Sequence, residues 1–217
     1  MKTIIYYTSN RENSAFEQKV IDGVNTVRGD VPVISVSQKP LDFGHNICVG
    51  DVGHTYFNAF RQLLIGAQAA TTEWVVMAEA DCFYPRTGYF DFAPADPETI
   101  YTYDNVWILW KKAGKDYFRR KEQTHASLIY HREYLIEILE KAFDGKPEWS
   151  RDRKGPHSAV SFYPAGQKWT SFTGDAIVNV KTGDSMNYGT RLMDVKPETE
   201  LPFWGGAVQL KKEIFGE

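Results

Sequence analysis

A short apolar run that ends in two carboxylates is the feature that most constrains this chain. Residues 74–78 are apolar, and Glu79 and Asp81 follow them, one residue apart. Alternate side chains of a strand point to the same side, so both carboxylates would project together from the end of a buried strand. Open α/β sheets bind ligands at that end of their strands. Paired oxygens with nothing nearby to neutralise them suit Mg²⁺ or Mn²⁺, whereas the plainer alternative is two solvated loop acids.

The first half of the chain alternates strand and helix patterns. Apolar and β-branched residues predict strands at 3–7, 31–36 and 73–78. A capping box that begins at Ser14 starts an amphipathic helix that stops near Gly29, and a second helix is predicted at 55–70. The polar segment 37–54 is predicted to be a long loop. This β-α-β-α-β order predicts a parallel sheet with right-handed crossovers.

The second half of the chain is less regular. A tight turn at Asp104 and Asn105 joins predicted strands, and the tail from Thr182 shows little periodicity. The strands of this half are predicted at 99–103, 106–110, 125–130, 158–163, 168–172 and 175–180, with an amphipathic helix at 132–143 and a basic loop at 144–157. The length suits one domain over residues 1–217, made of a nucleotide-binding half (1–97) and an irregular mixed half (98–217).

Composition excludes several classes of protein. The net charge of −3 means that any nucleic acid must bind a local basic patch rather than a polycation. Cys48 and Cys82 form neither a disulfide framework nor a zinc pattern, which favours a reducing compartment. The N-terminus is typical of a strand rather than a signal peptide, and no apolar run is long enough to span a bilayer. We therefore expect a soluble, cytoplasmic protein.

Taken in order, these pieces resemble a glycosyltransferase of the GT-A fold. Such enzymes have a Rossmann-like sheet with an acidic D-x-D motif at the end of an internal strand, and Glu79-Ala80-Asp81 stands at that position. Most of residues 3–140 resembles small phage and metagenomic glycosyltransferases of the DNA base-modifying type, through segments 34–40, 44–50 (GHNICVG) and 103–107 (YDNVW). The segment 178–183 lacks the His that many GT-A enzymes use as a third metal ligand. We therefore expect weak metal affinity in the absence of a bound donor.

The resemblance implies a fold and a donor site. The fold is α/β and GT-A-like, with residues 1–97 binding the nucleotide sugar and residues 98–217 binding the acceptor. Glu79 and Asp81 would hold Mn²⁺ or Mg²⁺, with Asp81 the more direct ligand, and a UDP-sugar is the expected donor. The predicted donor-binding residues follow the first two strands or lie on the second helix, namely Thr8, Ser9, Asn10, Arg11, Ser37, Gln38, Lys39, Asn46 and Arg61. An ordinary capping loop and a solvated helix arginine are the alternatives for Arg11 and Arg61.

The catalytic base and the acceptor remain open. Asp104 and His125 are predicted to join Asp81 in catalysis, and the other candidates for the base are His131, Glu133 and Asp175. The expected acceptor is a hydroxymethylated pyrimidine in DNA, flipped out of the duplex, in the host cytoplasm if the protein is phage-encoded. Its phosphates would contact the loop 144–157 and the basic cluster 119–121.

Other functions stay open beside this one. A saccharide or lipid-linked acceptor would use aromatic side chains such as Trp107, Trp110, Trp149 and Trp169. A nucleotidyltransferase also combines an α/β sheet with paired acids, but the segment 8–11 lacks the expected glycine. A noncatalytic nucleic-acid-binding domain would use the basic clusters and leave the two carboxylates without a purpose.

Overall fold

The computed structural model describes residues 1–122, 127–152, 166–184 and 191–216. The first half of the chain alternates strands and helices much as the periodicity predicts. Its elements are β1 (Lys2–Thr8), α1 (Ser14–Val27), β2 (Val33–Ser37), β3 (His45–Cys48), α2 (Tyr56–Ala69) and β4 (Trp74–Glu79).

The second half contributes mostly short strands. They are β5 (Cys82–Phe83), β6 (Thr99–Tyr103), β7 (Val106–Trp110), β8 (Phe118–Arg120), β9 (Leu128–His131), β10 (Lys168–Phe172), β11 (Ile177–Lys181), β12 (Glu200–Leu201) and β13 (Gly205–Gly206). The helices of this half are α3 (Arg132–Phe143) and α4 (Ala207–Phe215). The helix predicted at 132–143 is confirmed at both ends.

The described strands build one large, mostly parallel sheet in the order β10-β6-β9-β4-β1-β2-β3. β1 is parallel to both β2 and β4, and β3 is parallel to β2. β9 is antiparallel to β4 and to β6, and β10 is parallel to β6. Within this sheet, every strand except β9 therefore runs in one direction and ends at the same edge, which we call the carboxyl edge. The predicted α/β class and parallel first half are confirmed.

A smaller sheet within the described residues has the order β5-β11-β7-β8. β5 follows β4 after a turn at Ala80 and Asp81, so the chain passes there from the large sheet to the small one. β5 pairs antiparallel with β11, with Asn179 opposite Cys82, and the Val180 amide donates to the Asp81 carbonyl at 2.7 Å. The register of β11 therefore fixes what lies beside Asp81.

The large sheet is covered on both faces, because adjacent residues of β1 face opposite sides. Ile4 belongs to the core under α1, whereas Ile5 belongs to the core under α2 and α3. Both are fully buried. At Gly66 of α2, an added Cβ would lie only 2.5 Å from Ile5 Cγ2, so the missing side chain lets the helix approach the sheet.

The start of α1 differs from the predicted capping box. Asn13, not Ser14, is the N-cap, and its Oδ1 accepts hydrogen bonds from the amides of Ala15 (2.9 Å) and Phe16 (3.3 Å). Asparagine is as strong an N-cap as serine, and it lies one residue earlier. Glu17 is buried instead and accepts a hydrogen bond from the Tyr6 hydroxyl at 3.2 Å.

Two further expectations need correction. The predicted loop 37–54 contains β3, which is the edge strand of the large sheet, and the tail predicted to lack periodicity contains α4. The strands predicted at 99–103 and 106–110 are confirmed as β6 and β7; they belong to different sheets, because the turn at Asp104 and Asn105 moves the chain between layers. The strand predicted at 158–163 and the first residues of that at 125–130 lie outside the described part of the chain. Among the described helices, none has the length and apolar character to cross a membrane.

Candidate active site at the carboxyl edge

Glu79 and Asp81 meet at the carboxyl edge. Each offers a carboxylate oxygen that, together with the Cys82 sulfur, lies within 4.8 Å of the others. The Tyr7 hydroxyl on β1 donates to Glu79 Oε1 at 2.5 Å, and the Glu79 amide donates to the Tyr84 hydroxyl at 2.9 Å. The two carboxylates therefore lie close together, but only Glu79 belongs to β4, and Asp81 lies in the turn before β5, so strand alternation does not place it.

The structure supplies Asp81 with a buried counter-charge. Lys181 Nζ, at the end of β11, lies 3.2 Å from Asp81 Oδ2, and each side chain is only 9% exposed. The expectation that nothing nearby neutralises the carboxylates is therefore wrong. The lysine is 100 residues away in the sequence and arrives through the pairing of β11 with β5.

A second lysine acts on the same carboxylates. Lys121 follows β8, and its ammonium contributes a lowering of the pKa at both Glu79 and Asp81. Burial followed by the Asp81 charge nonetheless raises the pKa of Glu79, whereas Lys181 and Lys121 outweigh burial and lower the pKa of Asp81. Burial and the neighbouring Lys181 lower the pKa of Lys121 itself. Asp81 is therefore the more firmly ionised acid.

Glu12 is a further acid of this edge that the sequence analysis did not single out. It lies in the loop after β1, and its Oε2 accepts a hydrogen bond from Thr182 Oγ1 at 2.7 Å. Its Oε1 is buried and has no hydrogen-bond partner among the described residues. Burial, with smaller contributions from Asp81 and Asp184, raises the pKa of Glu12 to about 7. Its place in the loop that follows β1 at the carboxyl edge was the available signal.

The donor set fits a divalent cation that brings other ligands with it. Glu79 and Asp81 supply hard oxygens. Burial raises the pKa of Cys82 well above its usual range, so the thiol stays protonated and is a poor ligand. Mg²⁺ commonly binds through one or two carboxylates together with substrate phosphates. The residues present therefore fit Mg²⁺ or Mn²⁺ whose remaining ligands come from a bound diphosphate.

The loops after β1 and β2 are tied together by Asn10. Its side-chain Oδ1 accepts hydrogen bonds from the backbone amides of Gln38 and Lys39, both at 2.9 Å. Its backbone amide donates to Thr8 Oγ1. Asn10 adopts a φ of 50°, which asparagine tolerates better than most residues. Ser9 is half-buried beside it, and the exposed Arg11 and Lys39 stand on the two joined loops.

Three other predicted donor-binding residues are used by the fold itself. The Asn46 amide group donates to Ser35 and to Ser37 Oγ and accepts from the Leu41 amide. The Ser37 hydroxyl also donates to the Lys39 carbonyl at 2.6 Å. The remaining side chain, that of Gln38, is buried and donates to the Gly53 carbonyl at 2.6 Å. These contacts join β2, β3 and the loop between them at the carboxyl edge.

Arg61 is not brought to the carboxylates. Its guanidinium donates to the carbonyls of Pro147 and Glu148, both at 3.0 Å, and lies 3.7 Å from the centre of the Phe143 ring. The expected contact with a diphosphate is therefore wrong. The polar face of α2 meets the segment after α3, which the helical periodicity of α2 alone does not reveal.

The candidates for catalysis lie at different places in the structure. Asp104 follows β6 at the carboxyl edge, is 46% exposed in its side chain and lies 3.9 Å from Arg120 Nη2. His125 lies outside the described residues. His131 packs against Trp74 at the start of β4, which is the opposite edge of the sheet, so the structure separates it from the carboxylates.

The basic cluster 119–121 is not an exposed patch. All three side chains are half-buried; Arg120 packs over Trp107, and Lys121 acts on the carboxylates as described above. Trp107 is itself buried, whereas Trp169 is 44% exposed. The tryptophans named for a saccharide acceptor therefore do not form one exposed set.

Comparison with known proteins gives distant likenesses in fold. No protein-family model matches the chain, and no curated protein matches it. A glycosyltransferase involved in the glycosylation of the major capsid of PBCV-1 is 15% identical, with a TM-score of 0.48 over 78% of this chain and 80% of that chain. A mannosyltransferase from Pyrobaculum calidifontis, in complex with GDP-Man and Mn²⁺, is 16% identical (TM-score 0.47, 82% of this chain and 56% of that chain). A nucleoside-diphosphate-sugar pyrophosphorylase from Vibrio cholerae RC9 is 12% identical (TM-score 0.46, 85% and 97%).

Proposed function

We propose that this protein is a glycosyltransferase that moves a sugar from a nucleotide-sugar donor to an acceptor hydroxyl. The observation that carries the proposal is the meeting of Glu79, Asp81, Lys121 and Lys181 at the carboxyl edge. Open parallel sheets bind nucleotides at this edge. The carboxylates suit a divalent cation, and the ammonium groups suit a diphosphate.

Each part of the site has a task in such a transfer. Glu79 and Asp81 would hold the cation, which would supply positive charge to the leaving diphosphate. The ammonium groups of Lys121 and Lys181 add fixed positive charge in a site shielded from water, where it acts more strongly than in solution. We assign the nucleotide end of the donor to the exposed Arg11 and Lys39, which stand on the two loops that Asn10 joins.

For the acceptor we propose a hydroxymethylated pyrimidine in DNA, which the sequence resemblance suggests. The base must leave the helical stack to reach a carboxylate-lined edge. Asp104, partly exposed beside Arg120, is the proposed contact to the incoming hydroxyl or to the sugar. Transfer of a labelled sugar to duplex DNA with hydroxymethylcytosine, and not to the unmodified duplex, is the expected result; labelling of an oligosaccharide in place of DNA would contradict this acceptor.

The experiment that tests the donor class is a thermal-shift screen of sugar nucleotides with and without Mn²⁺. A ligand that binds only the native state raises the melting temperature, by an amount that grows with its concentration relative to its Kd. We expect a UDP-sugar with Mn²⁺ to give the largest rise and the Asp81→Asn variant to lose it. A panel in which no sugar nucleotide stabilises the protein would contradict the proposed function, whereas a shift caused by DNA alone would favour a binding domain.

A further inference from the structure

Four charged groups at the carboxyl edge, two buried and two half-buried, balance one another in charge. Glu79 and Asp81 bring two carboxylates, and Lys121 and Lys181 bring two ammonium groups. The side chains of Asp81 and Lys181 are each 9% exposed, so water screens the attraction between them little. Apart from Glu12, whose burial raises its pKa to about 7, this cluster in the protein alone has no excess negative charge to attract a cation.

This balance sets an electrostatic condition on what binds. A divalent cation alone adds two positive charges beside two ammonium groups, which is unfavourable in a site of low effective dielectric. A sugar-nucleotide diphosphate alone carries one negative charge on each phosphate and meets two carboxylates. When both enter together their charges cancel, and the cluster remains balanced.

We infer that Lys181 is an internal counter-ion that couples cation binding to donor binding. Its ammonium holds Asp81 in the ligand-free protein, and it transfers to the donor's diphosphate when a cation takes its place at Asp81. This inference rests on the proposed function and names the residue that controls occupancy of the proposed site. Coupling between two ligands is reciprocal. The donor therefore raises the affinity for the cation by the same factor as the cation raises the affinity for the donor.

The local structure permits this exchange without a rearrangement of the backbone. β11 is paired on one side with β5 and on the other with β7, so the Cα of Lys181 is held by the sheet. Asn179 Nδ2, two residues earlier, also donates to the Asp81 carbonyl at 3.3 Å. Only the flexible four-carbon stem of the lysine has to swing, and its head group binds carboxylate and phosphate oxygens equally as a point charge.

The direct test is Mn²⁺ binding in the absence of any nucleotide, measured by electron paramagnetic resonance of free Mn²⁺. Lys181→Met should bind Mn²⁺ about ten-fold more tightly than the wild type or more, because the competing ammonium is gone. Lys168→Met is the matched control, since it removes the same charge from an exposed pair with Asp96 at the start of β10, the opposite edge. Adding Asp81→Asn to Lys181→Met should remove the gain. Equal Mn²⁺ affinity in Lys181→Met and wild type would overturn the inference.

A second measurement covers the case in which Lys181→Met does not fold. This measurement uses wild type and Lys181→Arg, which keeps the charge. In both, UDP or GDP should raise the affinity for Mn²⁺ at least about ten-fold, and Mn²⁺ should raise the affinity for the nucleotide by the same factor. Wild-type protein that binds Mn²⁺ equally well with and without a bound nucleotide would refute the coupling. Failure of every nucleotide to bind would instead count against the proposed function, while, where Lys181→Met folds, the Mn²⁺-only comparison would still decide the part played by Lys181.

Discussion

Lys181 Nζ lies 3.2 Å from Asp81 Oδ2 in a pair that is almost closed to solvent, although the two residues are 100 positions apart. A buried ion pair costs much of its attraction in desolvation, so it adds little net stability. Removal of one partner, however, leaves the other charge buried and uncompensated. The same ion pair therefore affects both the stability of the fold and the proposed catalytic site.

Asp81→Ala should abolish sugar transfer and also lower stability. Loss of one partner of a buried pair costs about 3–5 kcal/mol. The double change Asp81→Leu with Lys181→Met should recover most of this free energy of unfolding, measured by urea denaturation, and still be inactive. Similar stabilities for Asp81→Ala and the double variant would show that the pair is not coupled in the fold, and full activity of Asp81→Ala would refute its catalytic role.

Glu12 predicts a pH dependence of stability. Its pKa is raised from 4.5 to about 7, so the native state holds this proton more tightly than the unfolded state. Folding takes up a proton between these values, and the contribution of Glu12 to stability is present at low pH and lost as the pH rises through about 7. The melting temperature of wild type relative to Glu12→Gln should therefore fall between about pH 5 and pH 8. Parallel pH curves for the two proteins would contradict the raised pKa.

Asn10 should be needed to hold the two ligand-facing loops in register. Asn10→Ala removes the acceptor of the Gln38 and Lys39 amides and places alanine at a φ of 50°, so we expect a loss of about 1–3 kcal/mol. Asn10→Gly also removes the acceptor but tolerates the positive φ, so it should lose less than alanine while remaining less stable than wild type. The free energies of unfolding of the three proteins decide the matter, and a glycine variant as stable as wild type would argue against the clamp.

Two helix glycines should respond oppositely to alanine. Gly66→Ala would place its Cβ 2.5 Å from Ile5 Cγ2 and 3.3 Å from Val36 Cγ2, so overpacking of about 1–3 kcal/mol should exceed the gain in helix propensity. Gly23→Ala meets Phe83 at 3.5 Å, an ordinary contact, and should stabilise by about 0.5–1 kcal/mol. Thermal denaturation of both variants checks the sign of each change, and stabilisation by Gly66→Ala would contradict the close approach of α2.

The sequence predicts the order of elements well where the signal is local. β1, α1, β2, α2, β4 and α3 follow from apolar periodicity, and the parallel direction of β1, β2 and β4 follows from their helical connections. β3 and α4 are missed, since a strand of four residues and an amphipathic helix in a glycine-rich tail carry little periodic signal. The separation of β6 from β7 is missed because a tight turn is equally compatible with a hairpin and with a change of sheet.

The sequence by itself determined that a buried strand would end at Glu79 with Asp81 two residues further on, because the apolar run that forms the strand is a local signal. Only the tertiary structure decided what surrounds them. The register of β11 on β5 brings Lys181 to Asp81, and the contacts of α2 with the segment after α3 take Arg61 away. Pairings between residues so far apart in the chain depend on the packing of the whole sheet, and no pattern within one segment contains them.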